Sequence, residues 1–250
     1  MPEVSFQNVT KYFTYGLKRQ KVLDALSLEV NMREIVGFLG PNGAGKSTSI
    51  NIALDFIRAD EGEVRIKDRS SREASSRKPL GYMPEQPHFY EQLTAKELLE
   101  FGGLASGVGR AELQTRIEEV LEKLQLLHVI HRPVRTYSKG MKQRIGLAQA
   151  MIHDPEILIL DEPMSGLDPL GRRLVTSLIL EFRETGKTIF FSSHILTDVE
   201  ILCDRIAVID KGRLLYCGNI GEFQKDSETL EEAFVKEIEG FDRGDWNRLA

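Results

Sequence analysis

Several features that define other classes of protein are scarce or absent in this 250-residue sequence. The only cysteines are Cys203 and Cys217, which are too few for a disulfide framework and lack the C-x-x-C spacing of a metal pair. They favour a reducing compartment, in which both act as small apolar side chains. No apolar run approaches the roughly eighteen residues that a membrane-spanning helix requires. We therefore expect any role at a membrane to depend on a partner protein.

An excess of basic residues is also missing. The formal net charge of −5 and the pI near 5.7 argue against a nucleic-acid partner, which normally requires a positively charged surface. The mixed polar residues 1–10 do not resemble a secretory signal. Hydrophobic residues make up 41% of the sequence and charged residues 28%, as in ordinary globular proteins. The length allows one large α/β domain, or a core domain that carries a smaller subdomain.

The glycine-rich segment at residues 40–48, GPNGAGKST, is the most informative part of the sequence. It follows the apolar run 35–39 and precedes an amphipathic segment, 48–57, so a strand, a loop and a helix occur in that order. Its glycines permit the positive φ angles of a turn whose backbone N–H groups face a phosphate chain. Lys46 would reach the β- and γ-phosphates, and Ser47 would offer its hydroxyl to Mg²⁺. The sequence therefore predicts a phosphate loop that binds a nucleotide.

Hydrophobic periodicity predicts an α/β fold around this loop. Two antiparallel-type strands, 4–9 and 23–30, precede it and are joined by a polar loop that contains Gly16 and residues 18–21. Thr94 and Glu97 form a capping box that opens a helix to residue 104, after which glycines at 102, 103, 107 and 109 break the chain. The other predicted strands are 62–67, 80–83, 156–160, 188–192 and 206–209, and the other predicted helices are 113–124, 138–151, 169–183, 197–203 and 229–238.

The helical pieces from residue 94 onward interrupt the alternation of strands and helices. We interpret them as a helical subdomain inserted in an α/β core, with its clearest boundary at 94–135 and a full extent of about 94–150. The main domain is predicted over residues 1–220, and residues 221–250 form a helical tail.

Two adjacent acidic residues follow the predicted apolar strand at 156–160. Asp161 and Glu162 lie at its carboxyl end, the edge at which ligands collect in open α/β sheets. One carboxylate there can help hold Mg²⁺ and the second can orient or deprotonate an attacking water. A solvated acidic pair at the start of a loop is the alternative. His194 follows another predicted strand, 188–192, so we expect it at the same edge, where it could donate to a γ-phosphate or orient the water.

Other polar residues give weaker signals. Asp168 precedes Pro169, and local evidence alone favours a helix N-cap over a functional role. His128 and His131 have helical i, i+3 spacing but no cysteine or carboxylate ligands nearby, so we do not expect a metal site there. The remaining histidines, His88 and His153, carry no pattern.

From about residue 4 to residue 223, the chain resembles the ATP-binding subunit of an ATP-binding cassette (ABC) transporter. Residues 40–48 resemble its Walker A motif, and 157–161 its Walker B motif, followed by Glu162. Gln86 matches the Q-loop glutamine, residues 137–144 (YSKGMKQR) the signature segment, and 165–168 the D-loop. His194 matches the switch histidine, and Phe13 falls where the family usually has an adenine-stacking tyrosine. Because these motifs occur in the family's order, they override the purely structural interpretation of Asp168.

The resemblance implies specific roles for these residues. It implies catalytic roles for Glu162, His194 and Lys46, and Mg²⁺ ligation by Ser47, Gln86 and Asp161. The implied ATP-binding residues are Phe13, Gly40, Pro41, Asn42, Gly43, Ala44, Gly45, Lys46, Ser47, Thr48, Gln86, Ser138, Gly140 and Asp168. The signature departs from the usual Leu-Ser-Gly-Gly-Gln at Lys139 and Met141 but keeps Ser138 and Gly140.

The resemblance also implies a fold, an activity and partners. The fold is a P-loop NTPase core with a mostly parallel sheet and an N-terminal antiparallel β subdomain. The activity is Mg²⁺-dependent ATP hydrolysis in a head-to-tail dimer, either a homodimer or a pair with another ATPase subunit. Ser138 and Gly140 of one subunit would cover the ATP bound by the other. The motor would act on an integral membrane permease from the inner face of the cell membrane, as a cytoplasmic, peripheral subunit.

The signature form Tyr-Ser-Lys-Gly-Met resembles the branch that drives ABC-2-type exporters, so we favour export over import. One alternative is a soluble cassette ATPase that acts on DNA or ribosomes, but such relatives carry two cassettes or a long coiled-coil insertion. The other is a nucleotide-gated regulatory protein with little turnover, against which Glu162 and His194 argue.

Overall fold

We describe a computed structural model of the chain that covers residues 1–16, 18–225 and 227–249. It divides into two compact units, Met1–Arg77 with Ser192–Ala250, and Lys78–Phe191. Residues 226 and 250 of the predicted tail lie outside the described part. The strands are β1 Pro2–Tyr15, β2 Lys18–Asn31, β3 Ile35–Leu39, β4 Glu61–Ile66, β5 Arg69–Ser70, β6 Leu80–Met83, β7 Ile157–Asp161, β8 Thr188–Ser193, β9 Arg205–Asp210 and β10 Arg213–Asn219. The α-helices are α1 Lys46–Ala53, α2 Ala95–Ala105, α3 Arg110–Lys123, α4 Lys139–Met151, α5 Pro169–Glu184, α6 Leu196–Leu202, α7 Ile220–Phe223 and α8 Leu230–Leu249.

The first unit contains an antiparallel sheet with the strand order β2-β1-β4-β5. Pairing of β1 with β2 continues to Tyr15 opposite Lys18, so the predicted polar loop at 18–21 is wrong. Two basic residues of this segment, Arg19 and Lys21, pack on a cross-strand aromatic ring and favour the extended strand. The Arg19 guanidinium carbon lies 3.8 Å from the Tyr12 ring centroid, and Lys21 Nζ lies 5.6 Å from it. Such cation–π contacts stabilise a pair of strands beyond its apolar core.

The first unit also contains β10, β9 and β3, which are adjacent in that order. Strands β3 and β9 are parallel, with Val36 opposite Arg205 and Leu39 opposite Val208. Every residue of β3 is buried, as expected for a parallel strand covered on both faces. A tight turn joins β9 to β10, in which Lys211 and Gly212 both have positive φ angles.

The second unit contains β6, β7 and residues 188–191 of β8, which are neighbours in the order β8-β7-β6, and β6 is parallel to β7. The predicted capping box at the start of α2 is confirmed, since Thr94 and Glu97 exchange hydrogen bonds. The prediction that Gly102 and Gly103 break the chain is wrong, because both lie inside α2. A Cβ on Gly103 would lie 2.4 Å from Leu113 Cδ1, so this glycine allows α2 and α3 to pack closely.

Helices α4, α5, α6 and α8 begin within one residue of their predicted starts, whereas α1 and α3 begin two and three residues earlier than predicted and α7 is not predicted. Ser138 caps α4, Asp168 caps α5, and Leu230 begins the tail helix α8, which is longer than expected. Across the described ranges, no helix combines the length and the hydropathy that crossing a bilayer requires. The inserted subdomain at about 94–150 and the separation of a tail at residue 220 stay predictions.

Candidate functional site

The phosphate loop of the first unit joins β3 to α1 and has the conformation that its glycines predict. Gly43 has a φ of 82° and Gly45 a φ of 114°, both in the region that side-chain-bearing residues rarely adopt. Ala44 N donates to Pro41 O at 3.2 Å, which closes the turn. Gly45 caps α1 without a side-chain hydrogen bond, so the first N–H groups of α1 are not used by a capping side chain. This arrangement suits an anion.

Close packing explains why the loop needs glycine at two of its positions. A Cβ on Gly40 would lie 2.3 Å from Ile209 O, and one on Gly45 would lie 2.6 Å from Leu23 Cδ2. Gly212 N donates to Ala44 O at 2.9 Å and ties the loop to the β9–β10 turn. Neighbouring strands therefore hold the loop in its curved form.

The side chain of Lys46 folds back over the phosphate loop toward its first two residues. Its side chain is buried, and Nζ donates to Gly40 O at 2.6 Å and to Pro41 O at 3.3 Å. These carbonyls compensate part of the desolvation of the ammonium group. A positive charge held beside a concave row of backbone N–H groups is suited to phosphate oxygens.

Phe13 and His194 are the other predicted site residues in the first unit. Phe13 lies on β1, opposite Gln20 of the β2 strand that also contributes Leu23 to the loop, and Lys11 Nζ is 5.5 Å from its ring centroid. His194 is exposed in a bend after β8, where Ile195 N donates to Ser193 Oγ at 2.9 Å. Adenine stacking by Phe13 and phosphate contact by His194 stay predictions.

In the second unit, β7 ends in the two predicted carboxylates. Asp161 is 5% exposed and Glu162 is 8% exposed, so this is not a solvated acidic pair. Glu162 has a φ of 51°, a left-handed conformation that costs a non-glycine residue about 1–3 kcal/mol and often marks a functional site. Burial, and then the negative charge of Asp161, raise the pKa of Tyr82 to about 12.

The signature segment begins α4 in the second unit. Ser138 Oγ accepts a hydrogen bond from Met141 N at 3.2 Å, which leaves the hydroxyl hydrogen able to donate to a ligand. Lys139, which departs from the family pattern, runs along the D-loop. A Cβ on Gly166 would lie 2.4 Å from Lys139 Cε, so glycine with its φ of 72° provides room for this lysine.

Asp168 and Gln86 complete the predicted set in the second unit. Asp168 Oδ1 accepts from Gly171 N at 2.7 Å, so the helix-capping interpretation is correct locally, and a nucleotide role stays a prediction. Gln86 is exposed, while the next residue, Pro87, packs on α4, where a Cβ on Gly146 would lie 2.7 Å from Pro87 Cγ. An amide oxygen at Gln86, a carboxylate at Asp161 and a hydroxyl at Ser47 are the hard oxygen donors that Mg²⁺ prefers.

Gln143 lies within the predicted signature segment, but the sequence alone assigns it no role of its own. It is 4% exposed, and Nε2 lies 3.3 Å from both Glu162 O and Pro163 O. A signal was present, because its helical neighbours Gly146, Leu147 and Ala150 form a buried face on which a glutamine is unexpected.

His153, Cys203 and Cys217 are partly buried. No cluster of three potential metal-binding side chains occurs among the residues described. His153 Nε2 lies 3.0 Å from Leu80 O, and burial lowers the pKa of its imidazole. Cys203 and Cys217 are free thiols, and burial raises the pKa of both.

Comparisons with known sequences agree with this geometry. A family model described as ABC transporter matches residues 23–165. An uncharacterized ABC transporter ATP-binding protein of Synechocystis sp. is 45% identical over 89% of this chain and 64% of its own length. The bacitracin transport ATP-binding protein BcrA of Bacillus licheniformis is 42% identical over 78% of this chain and 64% of its own. The linearmycin resistance ATP-binding protein LnrL of Bacillus subtilis is 36% identical over 85% of this chain and 68% of its own length. The chain thus spans roughly two thirds of the length of these relatives.

Solved structures are similar over nearly the whole chain. An ATP-binding subunit of an ABC transporter superposes with a TM-score of 0.86 at 29% identity, covering 94% of this chain and 99% of its own. A dimeric ATP-binding cassette in a post-hydrolysis state with ADP and Pi superposes with a TM-score of 0.80 at 25% identity. The superposition covers 86% of this chain and 98% of the cassette. These similarities confirm the predicted α/β class, a P-loop NTPase with an antiparallel sheet and a mostly parallel one.

Proposed function

The chain belongs to the ABC transporter family, and from this premise we propose that it is the ATP-binding and ATP-hydrolysing motor of an exporter. The observation that carries the proposal is the pre-formed phosphate loop, in which Lys46 Nζ lies over Gly40 O and the start of α1 has no side-chain cap. This loop supplies a positive charge and backbone donors for a triphosphate.

Each predicted site residue would have a separate role in binding or hydrolysing ATP. Lys46 would donate to the β- and γ-phosphates and stabilise charge that develops on them. Glu162 would accept a proton from the attacking water, and His194 would donate to the γ-phosphate. Phe13 would stack on the base. Ser47, Gln86 and Asp161 would hold Mg²⁺, which when bound neutralises charge on the phosphate oxygens.

We propose that the active form is a head-to-tail dimer. Ser138 caps α4 and keeps a hydroxyl hydrogen to donate, so it and the Gly140 N–H could bind a γ-phosphate on a partner subunit. The similar ATP-binding cassette whose structure is a dimer bound to ADP and Pi supports this arrangement. Two-fold symmetry would then give two equivalent composite sites, and hydrolysis would allow the subunits to separate.

We further propose that the loop after Gln86 receives a coupling helix from an integral membrane permease, which would hold the motor at the inner face of the membrane. Tyr90 and Phe101 support this, because they remain 68% and 59% exposed and form an edge-to-face pair 6.4 Å apart. Relatives named for bacitracin transport and linearmycin resistance support export as the direction.

A phosphate-release assay with Mg²⁺ and ATP tests the motor function. The wild-type protein should release phosphate, and Glu162→Gln should reduce kcat about 10²- to 10⁴-fold because the amide cannot accept the proton. Glu156→Gln, just before the opposite end of β7, is the matched control and should keep wild-type turnover. A wild-type protein without turnover, or a Glu162→Gln variant with normal turnover, would contradict the proposal.

A further inference from the structure

We propose that Gln143 is a positioning residue that holds the backbone of Glu162 in its left-handed conformation and links it to the signature helix α4. The inference rests on the proposed function, since it concerns the residue to which we assign proton abstraction. It assigns a role to a side chain that contacts the catalytic residue only through the main chain.

Two carbonyl groups share the amide of Gln143. Its Nε2 lies 3.3 Å from Glu162 O and 3.3 Å from Pro163 O, within a side chain that is 4% exposed. The amide nitrogen has two hydrogens, so each carbonyl can receive one. These carbonyls are the first two after the Walker B strand, so the two hydrogen bonds restrain the backbone at Glu162 and at Pro163.

The backbone at Glu162 needs such support. Its φ of 51° is disfavoured for a residue with a Cβ, and an unfavourable conformation persists only where surrounding contacts impose it. Ser165 N also donates to Glu162 O, at 3.0 Å, so this carbonyl receives one donor from its own turn and one from α4. Together these hydrogen bonds fix the direction in which the Glu162 side chain leaves the strand.

Further contacts attach the segment after Glu162 to the first turn of α4. The Lys139 side chain lies over Gly166, as the 2.4 Å approach of Cε to a Cβ built there shows. A Cβ on Gly140 would lie 3.5 Å from Leu167 Cδ2. Residues 162–167 are therefore attached to α4 by one hydrogen-bonded side chain and two packing contacts.

This attachment has a consequence for the proposed dimer. Ser138 begins the same helix five residues before Gln143, and we assign it to the ATP bound by the partner subunit. A shift of α4 caused by that ATP would reach Glu162 through the Gln143 amide. The position of the base in one site would thus depend on the occupancy of the other.

The test compares Gln143→Met with Gln149→Met. Methionine keeps the length and approximate volume of glutamine but cannot donate a hydrogen bond. Gln149 is a half-buried residue of the same helix, so it provides the same chemical change away from Glu162. Both purified variants and the wild type are assayed for ATP turnover, for KM, and for amide hydrogen exchange over residues 161–168.

For Gln143→Met we expect kcat to fall about 10- to 100-fold with KM unchanged, because a misplaced base weakens only the chemical step. We also expect the amides of Ser165 and Leu167 to exchange about 10-fold faster. Gln149→Met should match the wild type in both measurements. The same loss in both variants, a raised KM with unchanged kcat, or unchanged exchange would overturn the inference.

The two proposals fail in different ways. If the wild type does not hydrolyse ATP, the proposed function fails, and hydrogen exchange alone decides whether Gln143 holds the segment. If the wild type hydrolyses ATP and Gln143→Met retains its kcat, the positioning role fails and the motor function stands.

Discussion

Lys46 shows at the scale of one residue how the protein prepares for an anion. An ammonium group that is 7% exposed would normally be costly, but here two loop carbonyls accept from it at 2.6 and 3.3 Å. Phosphate oxygens carry more negative charge than carbonyl oxygens and can form stronger hydrogen bonds with the same group. The lysine therefore needs little reorganisation to bind a nucleotide.

We predict that Lys46→Ala lowers the affinity for ATP about 10- to 100-fold, because a charged hydrogen bond contributes about 1.5–3 kcal/mol. Titration with a fluorescent ATP analogue measures the loss. Lys67→Ala, in the same unit, is the control, since Lys67 lies outside the phosphate loop and pairs with Glu3 at 3.8 Å. Unchanged affinity in Lys46→Ala would contradict the assignment of this lysine to the phosphates.

At the scale of elements, the phosphate loop depends on its neighbours as well as on its own composition. Gly43 and Gly45 both have positive φ angles, but their surroundings differ. No heavy atom lies within 4 Å of a Cβ built on Gly43, whereas one on Gly45 would lie 2.6 Å from Leu23 Cδ2 and 3.1 Å from Val22 O. Gly43 is needed only for its positive φ angle, whereas Gly45 also leaves room for β2 to pack against the loop.

This difference predicts unequal losses of stability. Gly43→Ala should lower the free energy of unfolding by about 1–2 kcal/mol, the cost of a left-handed conformation. Gly45→Ala should lose a further 1–3 kcal/mol or so through overpacking. In thermal denaturation each kcal/mol corresponds to a shift of about 2–4 °C for a chain of this size. Equal midpoints for the two variants would show that contact with β2 does not restrict the loop.

At the scale of the whole molecule, the proposed mechanism requires two copies. One chain supplies a phosphate loop and a signature segment, and we assign these to different ATP molecules. ATP would therefore stabilise the dimer, and its hydrolysis would weaken it, because a ligand shifts an equilibrium by its difference in affinity for the two states.

We predict that Glu162→Gln forms a stable dimer in the presence of Mg²⁺ and ATP, since it would bind the nucleotide without consuming it. Analytical ultracentrifugation should show a shift toward the dimer that reverses when ATP is removed. Adding Lys46→Ala to this variant is the control and should abolish the shift. A monomer at saturating ATP would contradict the composite-site mechanism.

Much of the fold and of the candidate site could be predicted because it depends on local physics. The alternation of strand residues, the capping box at Thr94 and the glycine pattern at 40–48 act over a few neighbouring residues, so they are visible in the linear sequence. The family resemblance assigned roles to Glu162 and His194 in the same way, through motifs of a few residues each.

The class of fold, the family and the position of the phosphate loop could therefore be predicted from local patterns alone. Tertiary structure decided the length of the β1–β2 hairpin, the continuity of α2 through Gly102 and Gly103, and the contact of Gln143 with the carbonyls of Glu162 and Pro163. These features depend on residues far apart in the chain: Leu113 approaches Gly103, and Glu162 lies 19 residues after Gln143. Contacts of this kind carry no local pattern, because packing chooses the partners only when the chain is folded.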